Sequence, residues 1–487
     1  MSSSRPAAII VLAAGEGTRM KSSTPKVLHE ICGRSLVGHA VTAARGLDPA
    51  ELVVVVGHGK ERVSAHLADI DSGVRAVVQE RQLGTAHAVG VALAALAADG
   101  VEPAGTVVVT CGDVPMQTAA TLGSLAATHA ADGNAVTMLT MEVPDPTGYG
   151  RVVRGADGSV VEVVEHRDAT EEQRAIREAN AGIFAFDGRL LADALARVDT
   201  DNDQGEQYLP DVVRILREDG HRVGACVAPD HRELVGINNR VQLAQARRLM
   251  NDRLLEEAML AGVTVVDPAT TWLDVTVTYE PDAVIHPGSQ LLGATHVAAE
   301  AEIGPGTRLR DTVVGRGAVV SNTVADSAHV GAGANVGPYA YLRPGTVLGQ
   351  ESKVGTFVEL KNSAIGEGTK VPHLSYVGDA TIGDHTNIGA ATVFVNYDGE
   401  EKHHSTVGSY CRTGADNMFV APVTIGDGSY TAAGSVITRD VPPGSLGVAR
   451  GQQRNVEGWV GRKRPDSDAA QAAEAALAAM ERKPGEA

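Results

Sequence analysis

The sequence predicts an α/β half, a connecting helix and a parallel β-helix, in that order. Three observations carry this. In the first half, apolar runs at Ala7–Leu12, Leu52–Val56, Val107–Val109 and Ala135–Leu139 alternate with helical patterns such as Leu36–Arg45 and Ala86–Ala98. Such alternation is expected of βαβ units around a buried parallel sheet. Between Asn239 and Gly262, Leu243, Leu249, Met250, Leu254 and Leu260 fall at helical spacings. In the second half, mostly apolar residues recur every six positions, at Val330, Val336, Leu342, Leu348, Val354 and Leu360, then at Ile365, Val371, Val377, Ile382, Ile388 and Phe394, and again at Val407, Thr413, Phe419 and Ile425.

A beat of six suits a solenoid in which three short strands make one coil and the apolar residue points inward. The residue after the beat is often Gly, which fits a corner that needs φ > 0. At Arg343, Lys361 and Pro372-His373 that Gly is replaced, and a repeat that gives up Gly for Arg, Lys and His has a chemical reason. The low aromatic content, 3%, agrees with a prism too narrow for large rings. The long step from Ile388 to Val407 implies a loop over 395–405 that leaves the prism, a common place for function.

At 487 residues, two or three domains are expected. The divisions read from the texture are 1–238, the helix 239–262, the solenoid 263–465 and a flexible tail 466–487. A net charge of −18 argues against nucleic acid and acidic membranes as partners. Cys32, Cys111, Cys226 and Cys411 have neither disulfide-framework nor zinc spacing. No run reaches membrane-spanning length, and no signal peptide opens the chain, so the cytoplasm is the expected compartment.

The first strand runs into Ala13-Ala14-Gly15-Glu16-Gly17-Thr18-Arg19-Met20, with Lys21 and Pro25-Lys26 beyond. A Gly-rich turn lets backbone N–H groups approach phosphates. Met20 stands where both the P-loop and the dinucleotide fingerprint need Gly, so neither fits. Arg19 and Lys26 supply the cations a triphosphate requires.

This run, with Pro25-Lys26-Val27-Leu28, resembles the signature of the sugar-1-phosphate nucleotidyltransferases. Gln79-Glu-Arg-Gln-Leu-Gly84-Thr85-Ala-His87, Cys111-Gly-Asp113-Val-Pro115, Pro146-Thr-Gly-Tyr-Gly150-Arg151, Val164-Glu165, Asn180-Ala-Gly182 and Gly236-Ile-Asn238-Asn-Arg240 follow in the family's order. Together with the solenoid, nearly the whole chain resembles the bacterial bifunctional N-acetylglucosamine-1-phosphate uridyltransferases and glucosamine-1-phosphate N-acetyltransferases. The resemblance implies a Rossmann-like nucleotidyltransferase domain followed by a left-handed β-helix of hexapeptide repeats, a homotrimer, and a role in supplying peptidoglycan precursors. A single-activity sugar-1-phosphate nucleotidyltransferase with a regulatory β-helix is the alternative.

By the same resemblance, Leu12, Ala13, Ala14, Gly15, Arg19 and Lys26 hold UTP, and Gln79, Gly84 and Thr85 contact uracil. Gly150, Glu165 and Asn180 hold the sugar, and Asp113 and Asn238 bind Mg²⁺. Taken alone, Asp113 reads equally as a turn residue and Asn238 as a helix cap. In the second half the resemblance makes His373 the base for acetyl transfer, oriented by Glu359. Arg343, Lys361, Tyr376 and Asn387 bind glucosamine 1-phosphate. Ala390, Asn396, Tyr397, Ala415, Ala433 and Arg450 bind acetyl-CoA. His403 and His404 are read as solvated loop residues without a role. One departure stands out: Ala415 replaces the family's usual Ser, removing a hydrogen-bond donor worth about 1–3 kcal/mol if unreplaced.

Overall fold

In the computed structural model, which describes residues 5–202 and 204–481, the first half is built on a nine-stranded sheet. Its strands are β1 (Ala8–Ala13), β2 (Glu51–Val56), β3 (Arg75–Val78), β4 (Thr106–Cys111), β5 (Val136–Glu142), β6 (Arg151–Arg154), β7 (Val160–Val164), β8 (Glu178–Asp187) and β9 (Val223–Val227). The spatial order is β9-β5-β8-β4-β1-β2-β3, with the β6–β7 hairpin attached through β8. β1 pairs in parallel with β2 and β4. β8, which the apolar runs do not single out, is antiparallel to β4 and β5. The sheet is therefore mixed rather than wholly parallel.

Helices cover both faces. Helix α1 (Leu36–Arg45) is capped by the Ser35 side chain, which accepts from the Gly38 N–H. It buries Val37, Ala40, Val41 and Ala44 against Ile9, Val11 and Val54. Helix α2 (Thr85–Ala98) buries Ala88, Val89, Ala92 and Leu96 on the other face with Ile10, Val53 and Val109. Successive residues of β1 thus serve opposite cores, which accounts for a run that is apolar throughout.

Two compact units divide the chain, Met1–Thr346 and Val347–Ala487. Within the first, helix α3 (Arg240–Leu260) starts at Asn239, whose side chain accepts from Gln242 N–H. Its buried Asn251 donates to Thr271 O at 2.8 Å and accepts from Leu273 N at 2.9 Å. Parallel coils follow. Val265, Ile285, Ile303, Val320 and Val336 stand in register, as do Leu273, Leu291, Leu309, Ala325 and Leu342.

The second unit repeats the pattern. Leu348, Ile365, Ile382, Val407 and Ile425 form one inward column, and Phe394, Phe419 and Ile437 another. These coils are those of a left-handed parallel β-helix. The prism does hold large rings: Phe394 and Phe419 are 1% and 0% exposed. Their centroids lie 5.1 Å apart, tilted at 60°. Stacking in register lets each ring fill the volume beside the other.

The beat glycines also serve a different purpose from the one expected. Gly337 has a left-handed φ of 103°, but Gly349, Gly366, Gly383 and Gly408 do not. A Cβ on Gly349 would lie 2.7 Å from the Gly366 carbonyl carbon, one on Gly366 2.6 Å from that of Gly383, and one on Gly383 2.8 Å from that of Gly408. Close approach of successive coils, not backbone torsion, demands glycine here. Left-handed corners fall instead at Asn362, Leu374, Asp379, His385, Ala391, Tyr410 and Asp416, and at glycines off the beat such as Gly368 and Gly434.

The loop expected over 395–405 lies between strands Val393–Val395 and Ser405–Val407. The segment 466–481 contains helix α4 (Asp468–Glu481); the rest of the tail, 482–487, lies outside the described residues. No helix among the described residues is long and apolar enough to cross a membrane.

Candidate functional site

Leu12 and Cys111 are in register, so β1 and β4 end side by side. The Gly-rich loop and the Asp113 turn therefore leave the sheet together, at the strand carboxyl ends where α/β folds place ligands. The cleft there, about 270 Å³, is lined by Leu12, Ala13, Ala14, Gly15, Lys26, Gln79, Gly84, Thr85 and Asp113 among others. Gly15 has open space beside its Cα, leaving its backbone approachable. Gly17 has φ +66°, and a Cβ there would lie 2.5 Å from Lys26 Cβ.

Lys26 Nζ donates to Asp113 Oδ2 and lies 3.4 Å from Asn238 Oδ1. Arg19 Nη2 donates to the same Asn238 oxygen at 2.9 Å. Ile237 N–H donates to Asp113 O at 2.9 Å, which fixes Asn238 beside Asp113. Because Asn239 caps helix α3, the Asn238 side chain can join this cluster instead. Asp113 and Asn238 thus hold two hard oxygens close together, both facing the Lys26 ammonium. That donor set fits Mg²⁺, which takes few protein ligands and keeps several waters.

Buried Gln79 donates to Gly84 O at 3.2 Å and faces His87 Nδ1 at 2.8 Å. Gly84 needs its left-handed φ of 110°, and a Cβ there would lie 2.4 Å from Gln207 O. Thr85 Oγ1 accepts from Leu209 N at 2.9 Å. Gln82 and Glu206 also line the cleft, although no sequence motif assigns them a task. Gln82 donates to Ala14 O at 2.6 Å, closing the Gly-rich loop from above. Burial pushes the Cys111 thiol up to about 12, which makes it a packing group rather than a nucleophile.

Gly150, Glu165 and Asn180 are brought together beside the hairpin, not in the lining of that cleft. Asn180 N–H donates to Gly150 O at 2.8 Å. A Cβ on Gly150 would lie 3.1 Å from Glu165 Oε1. Burial, with Asp168 and Asp211 nearby, raises the Glu165 pKa. Adjacent Arg151 is 1% exposed, its Nη2 lies 3.2 Å from His166 Nδ1, and its Nε has no partner among the described residues.

In the second unit, Glu359 stands in register with Tyr376, and His373 with Thr356. Exposed His373 sits at the end of strand Lys370–His373. Lys361 Nζ donates to both Asp379 oxygens, at 3.0 and 3.2 Å. Asn396 Nδ2 donates to Asp379 Oδ2 at 2.6 Å and lies 3.4 Å from Tyr376 Oη. Tyr397, half exposed, donates to Gly399 O at 2.6 Å. Asn387 O accepts from Thr413 N at 3.0 Å. Ala390, Ala415 and Ala433 mark one corner of successive coils: Asp416 N donates to Ala390 O at 2.7 Å and Gly434 N to Ala415 O at 2.9 Å. Arg450 is exposed beyond them. Arg343 follows strand Tyr341–Leu342 in the first unit, where its carbonyl accepts from Thr346 Oγ1 at 2.7 Å. The loop histidines are partnered: His403 lies 2.6 Å from Asp398 Oδ2 and His404 3.0 Å from Thr381 Oγ1.

The nucleotidyl transferase family model matches residues 8–277. The chain is 72% identical over 478 residues to the bifunctional protein GlmU of Streptomyces coelicolor, covering 98% of each. It is 60% identical over 481 residues to that of Thermobifida fusca, covering 99% of each, and 58% identical over 470 residues to that of Corynebacterium aurimucosum, covering 96% of each. The chain belongs to the bifunctional GlmU family of nucleotidyl transferases. Full-length coverage means that the coils as well as the α/β half belong to the family's architecture.

Proposed function

We infer that this bifunctional chain makes UDP-N-acetylglucosamine in two transfers. It acetylates glucosamine 1-phosphate with acetyl-CoA, then joins the product to the uridylyl group of UTP. The convergence of Lys26, Arg19, Asp113 and Asn238 beside an open Gly-rich loop carries the second transfer. There a sugar-phosphate oxygen attacks the α-phosphorus, the α–β phosphoanhydride breaks and pyrophosphate leaves. Both reactants are anionic, so alignment and neutralisation supply the catalysis. Lys26 and Arg19 hold phosphate charge, the Leu12–Gly15 backbone cradles the nucleotide, and Gln79, Gly84 and Thr85 select the base. Gly150, Glu165 and Asn180 hold the sugar. Asp113 and Asn238 are the residues that hold Mg²⁺, which supplies further neutralisation of the phosphates.

In acetyl transfer the glucosamine nitrogen attacks the thioester carbon, His373 removes the amine proton, and the CoA thiolate departs. Glu359 orients His373. Lys361, Tyr376, Asn387 and Arg343 hold the sugar phosphate. Asn396 and Tyr397 border the acetyl group, and CoA follows the corner of Ala390, Ala415 and Ala433 toward Arg450. With no hydroxyl at Ala415, the backbone N–H of that residue takes its place. A homotrimer is the proposed assembly, and the cytoplasm the proposed compartment. Thiol release from acetyl-CoA with glucosamine 1-phosphate, measured beside pyrophosphate release from UTP, tests the assignment. Pyrophosphate release without thiol release refutes the bifunctional reading.

A further inference from the structure

Asp379 follows Gly378 in a repeat where Gly-Asp pairs are commonplace, yet its surroundings are unlike those of the other coil aspartates. It is 8% exposed and adopts a left-handed φ of 51°. Asp384 and Asp427, by contrast, stand at exposed corners and accept from main-chain N–H groups of the preceding coil. Asp379 accepts from three side chains: Lys361 at 3.0 and 3.2 Å, Asn362 at 2.8 Å and Asn396 at 2.6 Å. Burial opposes its charge, and the bonds from Asn362, Lys361 and Asn396 outweigh burial, holding its carboxyl below the usual range.

Its main chain ties the same pieces. Asp379 N–H donates to Lys361 O at 3.0 Å, and its carbonyl accepts from Ser405 N at 3.2 Å, where the inserted loop rejoins the coil. Gly378 keeps room above for two further groups: a Cβ there would lie 2.4 Å from Tyr376 Oη and 2.7 Å from Asn396 Nδ2. One carboxylate therefore touches the ammonium assigned to the sugar phosphate and the amide assigned to the acetyl group.

We propose that Asp379 is a positioning residue for acetyl transfer, fixing Lys361 and Asn396 in one arrangement and so joining the two substrate subsites. The assignment rests on the acetyltransferase reading above. Through Lys361 it acts on sugar-phosphate binding, and through Asn396 on turnover.

The test uses the full chain. Asp379→Asn suits the left-handed backbone and removes the charge while keeping the shape. Steady-state acetyl transfer is measured for the wild type, D379N, K361A and K361A/D379N, with melting temperatures as the folding control. D379N should raise KM for glucosamine 1-phosphate about tenfold or more, the scale of a lost charge-assisted bond, and lower kcat as well. In the K361A background, D379N should change that KM by no more than about twofold, since the two residues act as a unit. An unchanged KM in D379N, or two KM effects that simply multiply, overturns the proposal. An inactive wild type would instead sink the acetyltransferase reading. Should D379N unfold, D379E is measured instead: its retained charge should keep the KM within about threefold of wild type, and a tenfold rise would overturn the proposal.

Discussion

Lys26 gives its ammonium to the Asp113 carboxylate at the floor of the cleft, with their side chains 12% and 22% exposed. The pair sets a fixed cation beside a fixed oxygen before any substrate arrives. Such preorganisation is what a reaction between two anions needs, because water no longer has to reorganise around the developing charge.

Asp113→Ala should lower uridylyl transfer by about 10²-fold or more and leave acetyl transfer intact. Chelation of divalent metal should divide the activities in the same way. Equal loss of both activities in a folded protein would contradict the division of labour.

His373→Ala should lower acetyl transfer by about 10²–10⁴-fold, the range for a positioned base, without changing pyrophosphate release. A variant that keeps thiol release within about tenfold of wild type would remove His373 from the role of base.

Gly389→Ala tests the spacing of the coils. Its Cβ would lie 2.2 Å from Gly414 O and 2.7 Å from Ala415 N, which are main-chain atoms that cannot swing aside. Overpacking of this kind costs about 1–3 kcal/mol. Gly451→Ala, with nothing within 4 Å, is the control. Urea denaturation should separate them, and equal midpoints would show that neighbouring coils yield.

Arg154 ties the β6–β7 hairpin to β8 by donating to Glu178 at 2.6 and 2.7 Å. Burial raises the Glu178 pKa, but hydrogen bonds from Arg154 and Thr140 lower it further, leaving it below its ordinary 4.5. The folded state therefore binds this proton less readily than the unfolded chain. The stabilisation is complete above that ordinary value and is lost as pH falls through the folded one. Glu178→Gln should cost about 1–2 kcal/mol at pH 7, and the gap from wild type should close in acid. A pH-independent gap would show that packing, not charge, is at stake.

Periodicity reveals the coils because few folds besides a three-sided solenoid turn a residue inward every six positions. The first cleft is legible because its backbone loop and cations are close in sequence. Other features are not. β8 is hidden since its apolar run, Ile183–Phe186, follows a polar, bulged start at Asn180. Asp379 is hidden because a Gly-Asp pair is ordinary in these coils and its partners come from other stretches of the chain. Gln82 sits inside a motif without standing out, since its task is to hold Ala14 O, a main-chain atom that no side-chain pattern reveals. Asn238 reads equally as a helix cap in sequence, whereas the structure gives the cap to its neighbour Asn239.

The glycine column carries a consequence for tolerance to change. Whether Gly366 can be replaced is decided by the chain at Gly383-Asp384, one coil later, and Gly383 in turn by that at Gly408-Ser409. A saturation scan of the second unit should therefore show intolerance that recurs with the length of a coil. Because the obstacle is largely main chain, which every residue carries, exchanging the residue one coil later should not restore tolerance.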